Sequence, residues 1–424
     1  MPPFETLIEN CSQVVTLTGD VHAGADAALA PVTDGAVGIA GGKIAWVGPR
    51  AELPSSSVDV NTVRIDAHRG FVGPGFVDAH THLVFAGERS REFELRAAGA
   101  SYLEIAQAGG GIANTVRATR AASVEELVAL ARPRARRLLA QGITTAEAKS
   151  GYGLSLDDEL KLLRAIRILS AEGPLELVPT LLCAHALPPE FKDDRDGYLR
   201  VCREKILPAV TAERLARFFD VFCEQSAFTH DETRTLCADA KKAGLAIRLH
   251  VDQLTAGSGA ELAAELRASS ADHLEQISQA GIEALARASV SAVLVPMATL
   301  FLKLRRYAPG RALWDAGVNV ALGTNVNPGS AMSENLGVTL SLAVLENGLT
   351  ASEAYFAATR GSAVSLGLLD RGRIERGAQA DLVLFSCEGP RHLPYHLGVS
   401  HVRCVLKAGR VVHESADVGS ALCV

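Results

Sequence analysis

The stretch "FVDAHTHLVFAG" carries two histidines, His80 and His82, one residue apart behind a short apolar run. Side chains two apart on a strand face the same way, so both imidazoles address one point. Further residues able to ligate or move a proton end other apolar runs: His185 in "LLCAH", Glu224 in "FFDVFCE", His250 in "LAIRLHV", His273 in "SSADHLE" and Asn325 in "GTNVNPGS". Several neutral imidazoles with amide or carboxylate oxygens are the donor set of a divalent ion of zinc or iron type. Taken singly, each histidine has an ordinary reading as a surface or core residue making one hydrogen bond, and His185 and His273 could merely orient their neighbours. What gives His80, His82 and His250 weight is that their strand ends should converge on one axis.

That convergence requires a particular scaffold. Eight strand-like runs alternate with helical ones: "FVDAHTH", "ITTAEA", "LELVPTLLCAH", "FFDVFCE", "LAIRLHV", "SSADHLE", "SVSAVLVP" and "GVNVALGT". Ser155 with Asp158 and Thr229 with Glu232 read as capping boxes at helix starts, and Gly142 and Gly244 as helix-ending turns. Eight such units over about 300 residues predict an α/β fold, a (β/α)8 TIM-like barrel, whose active site forms at the carboxyl ends of the strands. All the candidate residues lie at those ends.

The two termini have a different texture. "TLIENCSQVVTL", "GAVGIAGGKIAWVG", "ADLVLFSC" and "VRCVLKAGRVVHE" are short apolar runs broken at Gly41–Gly42 and Ala408–Gly409, as hairpins are. Residues 1–72 and 374–424 are therefore expected to form one small composite β domain of sandwich type, with 73–373 as the barrel between them. The 424 residues suffice for both parts. With 48% hydrophobic and 21% charged residues and a net charge of -6, the chain reads as a well-packed soluble enzyme. Nucleic-acid binding is not expected, because backbone recognition needs clustered Lys and Arg. The longest apolar run is too short for a membrane span and contains Pro296. Eight scattered cysteines without a Cys-x-x-Cys pair, and no secretory signal pattern, point to reduced thiols in the cytoplasm.

"VDAHTH", "HVDQL", "SADHLE" and "GTNVNPGS" resemble the metal-dependent amidohydrolase superfamily. "ERSREFELRAAGASYLEIAQAGGGIANTVRATR", "EAKSGYGL" and "AHALP" narrow the resemblance to the imidazolonepropionase family, over essentially the whole chain. The resemblance implies one zinc or iron ion per subunit, held by His80, His82, His250 and residue 325. It also implies that Arg89, Tyr152, His185, Gln253, Asn327, Gly329 and Ser330 line a site for 4-imidazolone-5-propanoate, with a homodimer as the assembly. Arg is the side chain best shaped for the substrate's propionate, so Arg89 and Tyr152 are expected at that end. Metal-activated water would open the ring C–N bond to give N-formimino-L-glutamate. His273, His185 and Gln253 are the expected catalytic groups, His273 for proton transfer and Gln253 for orienting the ring.

One residue departs from the pattern. The superfamily usually has Asp where this chain has Asn325, and a neutral amide ligates a metal but is a very poor base. Three readings follow: a variant in which His273 or another group takes the proton, an engineered substitution, or a catalytically silent binding protein. The metal core alone also fits another mononuclear amidohydrolase, such as a deaminase or formiminoglutamate iminohydrolase. Lys149 ends the second strand, not the fourth where a metal-bridging lysine belongs, so a structural or ion-pairing role is expected for it. Gly109 to Gly111 reads equally as an anion-binding loop or as an ordinary helix start.

Overall fold

The computed structural model describes residues 3–99, 110–225 and 227–416. Its centre is an eight-stranded parallel sheet whose strands follow chain order: Phe76–Asp78, Ile143–Lys149, Glu176–Ala184, Phe218–Cys223, Ala246–Val251, Ser270–His273, Ser291–Leu294 and Val320–Leu322. Every expected barrel strand is present. The sheet closes on itself where the chain continues past the eighth strand, through Ala79 N to Leu322 O at 3.0 Å, Asn325 N to His80 O at 2.9 Å and His82 N to Asn325 O at 2.8 Å. These bonds clamp residue 325 against the two histidines that follow the first strand.

Helices return the chain between strands and bury one apolar stripe each on the barrel. Ser123 and Glu126 make a reciprocal capping box at the start of Val124–Ala140, and Thr229 and Glu232 do so at His230–Lys242. At Leu156–Glu172 the expected capping box is only half made. Ser155 Oγ accepts from Asp158 N, but the shorter Asp158 carboxylate takes the Ser155 hydroxyl rather than reaching back to the backbone. Gly142 and Gly244, at φ +85° and +84°, turn the chain where the sequence indicated. Of the glycine run, Gly109 lies outside the described residues. Gly111, at φ +75°, precedes helix Ile112–Ala121.

Both ends of the chain contribute to one six-stranded sheet, in the order Arg410–Glu414, Val402–Lys407, Leu382–Phe385, Phe71–Pro74, Gln13–Val15 and Pro31–Thr33. A four-stranded sheet, Lys43–Pro49, Gly35–Ala40, Thr6–Glu9 and Val63–Asp66, packs on it as a sandwich. Ile8, Val37, Ile39 and Ile44 of the smaller sheet share a core with Val14, Val72, Leu382, Leu384 and Leu406 of the larger. The hairpin turns fall at Gly41–Gly42 and Ala408–Gly409, all four residues at positive φ, the geometry that suits the twist of paired strands. This domain is fastened to the barrel far from its carboxyl-end mouth. Lys407 Nζ bridges Glu176, at the start of the third barrel strand, and Asp381, at 2.8 and 2.7 Å, and Arg371 reaches Glu176 at 3.1 Å. Among the described residues no helix is long and apolar enough to cross a membrane.

Candidate metal and substrate site

Strand alternation delivers the imidazoles as the sequence requires. His80, His82 and His250 are buried, and one ring nitrogen from each lies within 4.8 Å of the others. His250 Nε2 faces His82 Nε2 at 3.4 Å. Burial pushes all three pKa values below the ordinary histidine value. Neighbouring Lys149 adds to this for His80 and neighbouring His185 for His82, while Asp220 opposes it for His250. Neutral imidazoles with free lone pairs are what a divalent ion takes. His80 Nδ1 lies 2.7 Å from Asp272 Oδ2, a contact that puts the ring hydrogen on Nδ1 and leaves the buried Nε2 without a protein partner. Asn325 Oδ1 is likewise buried and unpartnered, while its Nδ2 donates to Ser330 Oγ at 3.0 Å. Buried polar atoms seldom go unmatched. Their convergence with the three imidazoles fits a metal ion.

Around this cluster stand the other expected residues. The His185 ring stacks on His82 with centroids 5.2 Å apart, and its Nδ1 meets Gly151 O at 3.0 Å. Burial, with His250 nearby, takes its pKa down to about 3. The Tyr152 ring packs 5.4 Å from His185, its hydroxyl buried without a partner. His273 lies 5.3 Å, ring to ring, from both His80 and His250. Its φ of +83° is strained for a non-glycine residue, as is the +74° of Asn325, and such strain gathers at functional sites. Gln253 is held by its backbone, whose N–H donates to Glu224 Oε1 at 2.7 Å. Glu224 also takes Leu254 N and the Thr255 hydroxyl, so it shapes the loop after the fifth strand rather than facing the imidazoles.

The loop after the eighth strand is built by Asn327, which exchanges two backbone bonds with Ala331 and accepts Gly329 N at Oδ1, 2.9 Å away. Gly329 leaves room there for the Arg89 guanidinium, which a Cβ would meet at 2.1 Å and push aside. Arg89 pairs with Glu92 at 2.7 Å and lies flat against that loop. Apart from Glu224, which braces a loop, the candidate residues thus lie at the carboxyl ends of the strands or in the segments that follow them.

Of the groups beneath them, sequence reading singled out Lys149 alone. Asp272 and Asp220 back His80 and His250, the latter with Oδ2 at 3.1 Å from His250 Nδ1. Glu147, Lys149 and Arg248 complete a fully buried charged layer. Lys149 Nζ lies 2.8 Å from Glu147 Oε1 and 2.6 Å from Asp220 Oδ2, which bears out the ion-pairing role expected of it. Burial lowers its pKa, but Asp220, Glu147 and Asp272 more than reverse this and keep it charged. The signal was available: charged residues at alternate positions within strands that are otherwise apolar, as in "AEAK" and "RLH".

A family model described as "Amidohydrolase family" matches residues 100–413, and one described as "Imidazolonepropionase-like composite domain, bacteria" matches 35–56. The chain is 62% identical to the imidazolonepropionase of Myxococcus xanthus (strain DK1622) over 421 residues, covering 99% of this chain and 100% of that protein. Against the imidazolonepropionase of Anaeromyxobacter sp. (strain K) the identity is 54% over 400 residues, 94% of either chain. Among solved structures, a zinc-bound adenosine deaminase from Xanthomonas campestris superposes with a TM-score of 0.72 at 21% identity, over 99% of this chain and 96% of that one. A 5-methylcytosine deaminase from Klebsiella pneumoniae gives 0.74 at 15%, over 96% and 97%. Those two likenesses speak for the fold alone; with the full-length identities and the family models, this chain belongs to the imidazolonepropionase family of metal-dependent amidohydrolases.

Proposed function

We propose that the protein hydrolyses the ring C–N bond of 4-imidazolone-5-propanoate to N-formimino-L-glutamate in histidine degradation. The observation that carries this reading is the meeting of His80, His82 and His250 beneath a polar mouth lined by Arg89, Tyr152 and His185, in a chain 62% identical end to end to an imidazolonepropionase. His80, His82, His250 and Asn325 would hold one zinc or iron ion per subunit. Such an ion lowers the pKa of a water toward neutrality and polarises a carbonyl.

The chain's own residues do the rest. Arg89 takes the propionate in bidentate fashion, already aligned by Glu92, with the Tyr152 hydroxyl beside it. Asn327, Gly329 and Ser330 approach the ligand through backbone and short polar groups, and Gln253 orients the ring. His273, held in its strained conformation next to the metal-site imidazoles, moves the proton to the departing ring nitrogen, and His185 supports the developing charge. The test is hydrolysis of 4-imidazolone-5-propanoate by protein of measured metal content. Steady turnover supports the reading, and its absence in fully loaded protein overturns it.

A second reading has its own observation. Asn325 is neutral, and its Oδ1 has no protein partner; a silent homologue that binds without turning over would look the same. Tight product binding with no turnover would favour it. We further infer the division into 1–72 with 374–424 and 73–373, which limited proteolysis tests by cutting near those bounds. Among the described residues seven free, buried cysteines support a cytoplasmic location. Tyr395, Leu397 and Val399, exposed along one segment, support a homodimer, which light scattering tests.

A further inference from the structure

We infer that Lys149 is a positioning residue that ties the two metal-binding imidazoles His80 and His250 into one preorganised unit. The inference rests on the metal reading above. Its basis is an unusual sharing of atoms. Lys149 Nζ lies 2.6 Å from Asp220 Oδ2 and 3.6 Å from Asp272 Oδ2. Those same two oxygens face the rings, Asp220 Oδ2 at 3.1 Å from His250 Nδ1 and Asp272 Oδ2 at 2.7 Å from His80 Nδ1. One ammonium therefore sits behind two carboxylate–imidazole pairs at once. Among the described residues it is the one cation within 4 Å of both carboxylates, since Arg248 reaches Asp272 at 3.2 Å and forms no ion pair with Asp220.

A third connection runs to the backbone between the first two ligands. Lys149 Nζ contacts Glu147 Oε1 at 2.8 Å, and Glu147 Oε2 accepts Thr81 N at 3.1 Å. Lys149 N in turn donates to Thr81 O at 3.0 Å. The single side chain is thus linked to the orientation of His80 and His250 through their carboxylates, and to the spacing of His80 and His82 through Thr81. Two carboxylates that share one ammonium in a dry interior repel each other, and without that cation one would turn away from its ring. That turn frees the imidazole it orients. Groups that orient metal-ligating imidazoles are typically worth 10- to 100-fold in metal affinity.

The test uses the whole protein and two variants, Lys149→Met and the pair Glu147→Gln with Lys149→Met. The pair leaves the net charge of the buried cluster unchanged, and the introduced amide oxygen still accepts Thr81 N. Three quantities are read: zinc affinity by competition with a chromophoric chelator, the visible spectrum of the cobalt(II) form, and thermal unfolding of the metal-free protein. The expected result for the paired variant is a folded metal-free protein that binds zinc 10- to 100-fold more weakly, with a changed cobalt spectrum. Zinc affinity within twofold of the parent and an unchanged spectrum would overturn the inference and reduce Lys149 to charge balance. So would failure of the paired variant to fold, which would make the lysine a core residue and not an orienting one. A parent that bound no zinc would instead refute the metal reading itself, and the inference with it.

Discussion

Asn325→Asp tests the position at which the resemblance to the amidohydrolase superfamily leads one to expect Asp. The side chain is 1% exposed, its Nδ2 donates to Ser330 Oγ at 3.0 Å, and its Oδ1 is buried without a partner. The introduced carboxylate is isosteric. The Ser330 hydroxyl can turn from acceptor to donor, so that contact survives and the fold should tolerate the change. A well-placed general base contributes about 10²- to 10⁴-fold, or roughly 3–5 kcal/mol of barrier. If residue 325 had to be that base, Asn would forfeit the whole amount. We expect it does not: with metal content matched, the parent should turn over 4-imidazolone-5-propanoate steadily. Asn325→Asp should change kcat by less than about tenfold, under roughly 1.4 kcal/mol, while retaining metal more tightly because it adds a negative ligand. His273→Gln in the parent background should then lose about 10²-fold or more of kcat, as the group that carries the proton. An inactive parent, together with a gain of 100-fold or more in Asn325→Asp, would refute the reasoning. The base would then belong at position 325, and this chain would be a binder.

Arg89→Ala should raise KM about 10- to 100-fold with kcat nearly unchanged, the loss of a charge-assisted contact of roughly 1.5–3 kcal/mol, and an unchanged KM would dismiss it from the propionate end. Lys407→Met should cost about 1–3 kcal/mol of stability, less than for a fully buried pair because Arg371 still neutralises Glu176 and Asp381, and calorimetry should show this with KM unaltered. Cys11 supplies an alkaline dependence: burial, then the Asp34, Asp66 and Glu9 carboxylates, push its thiol up to about 12 from 9.0. Between those values the unfolded chain gives up a proton that the folded protein keeps, so stability is full below pH 9 and falls as pH rises through it, by at most about 1.4 kcal/mol per unit. Unfolding midpoints compared at pH 8 and pH 10 should show that decline, and Cys11→Ala should lessen it by the share of Cys11, the raised thiols of Cys223, Cys237 and Cys387 keeping the rest.

Much of this protein was legible without coordinates because its signals are local. Period-two spacing fixes which way His80 and His82 face, the strand–helix alternation counts to eight, and positive-φ turn residues mark both terminal hairpins. A barrel then dictates that residues ending different strands share a mouth, and it is this rule that brought His80, His82, His185, His250, His273 and residue 325 into one site from sequence positions far apart. Where the residue type was right but its reach was short, the local rule failed, as at Ser155, where Asp158 caps only half the box.

The groups behind the site were decided elsewhere. Nothing in the spacing of Asp220 and Asp272 says that one oxygen of each serves both an imidazole and Lys149, because that depends on the stagger of the second, fourth and sixth strands around the closed barrel. Nor does the sequence foretell that the Arg89 guanidinium packs against Gly329, 240 positions away, in the eighth-strand loop. Periodicity determines the side of a strand on which a residue lies, since that is set by one backbone. Which charges then neutralise one another in the dry interior is set by distances between strands, and those exist only once the barrel has closed.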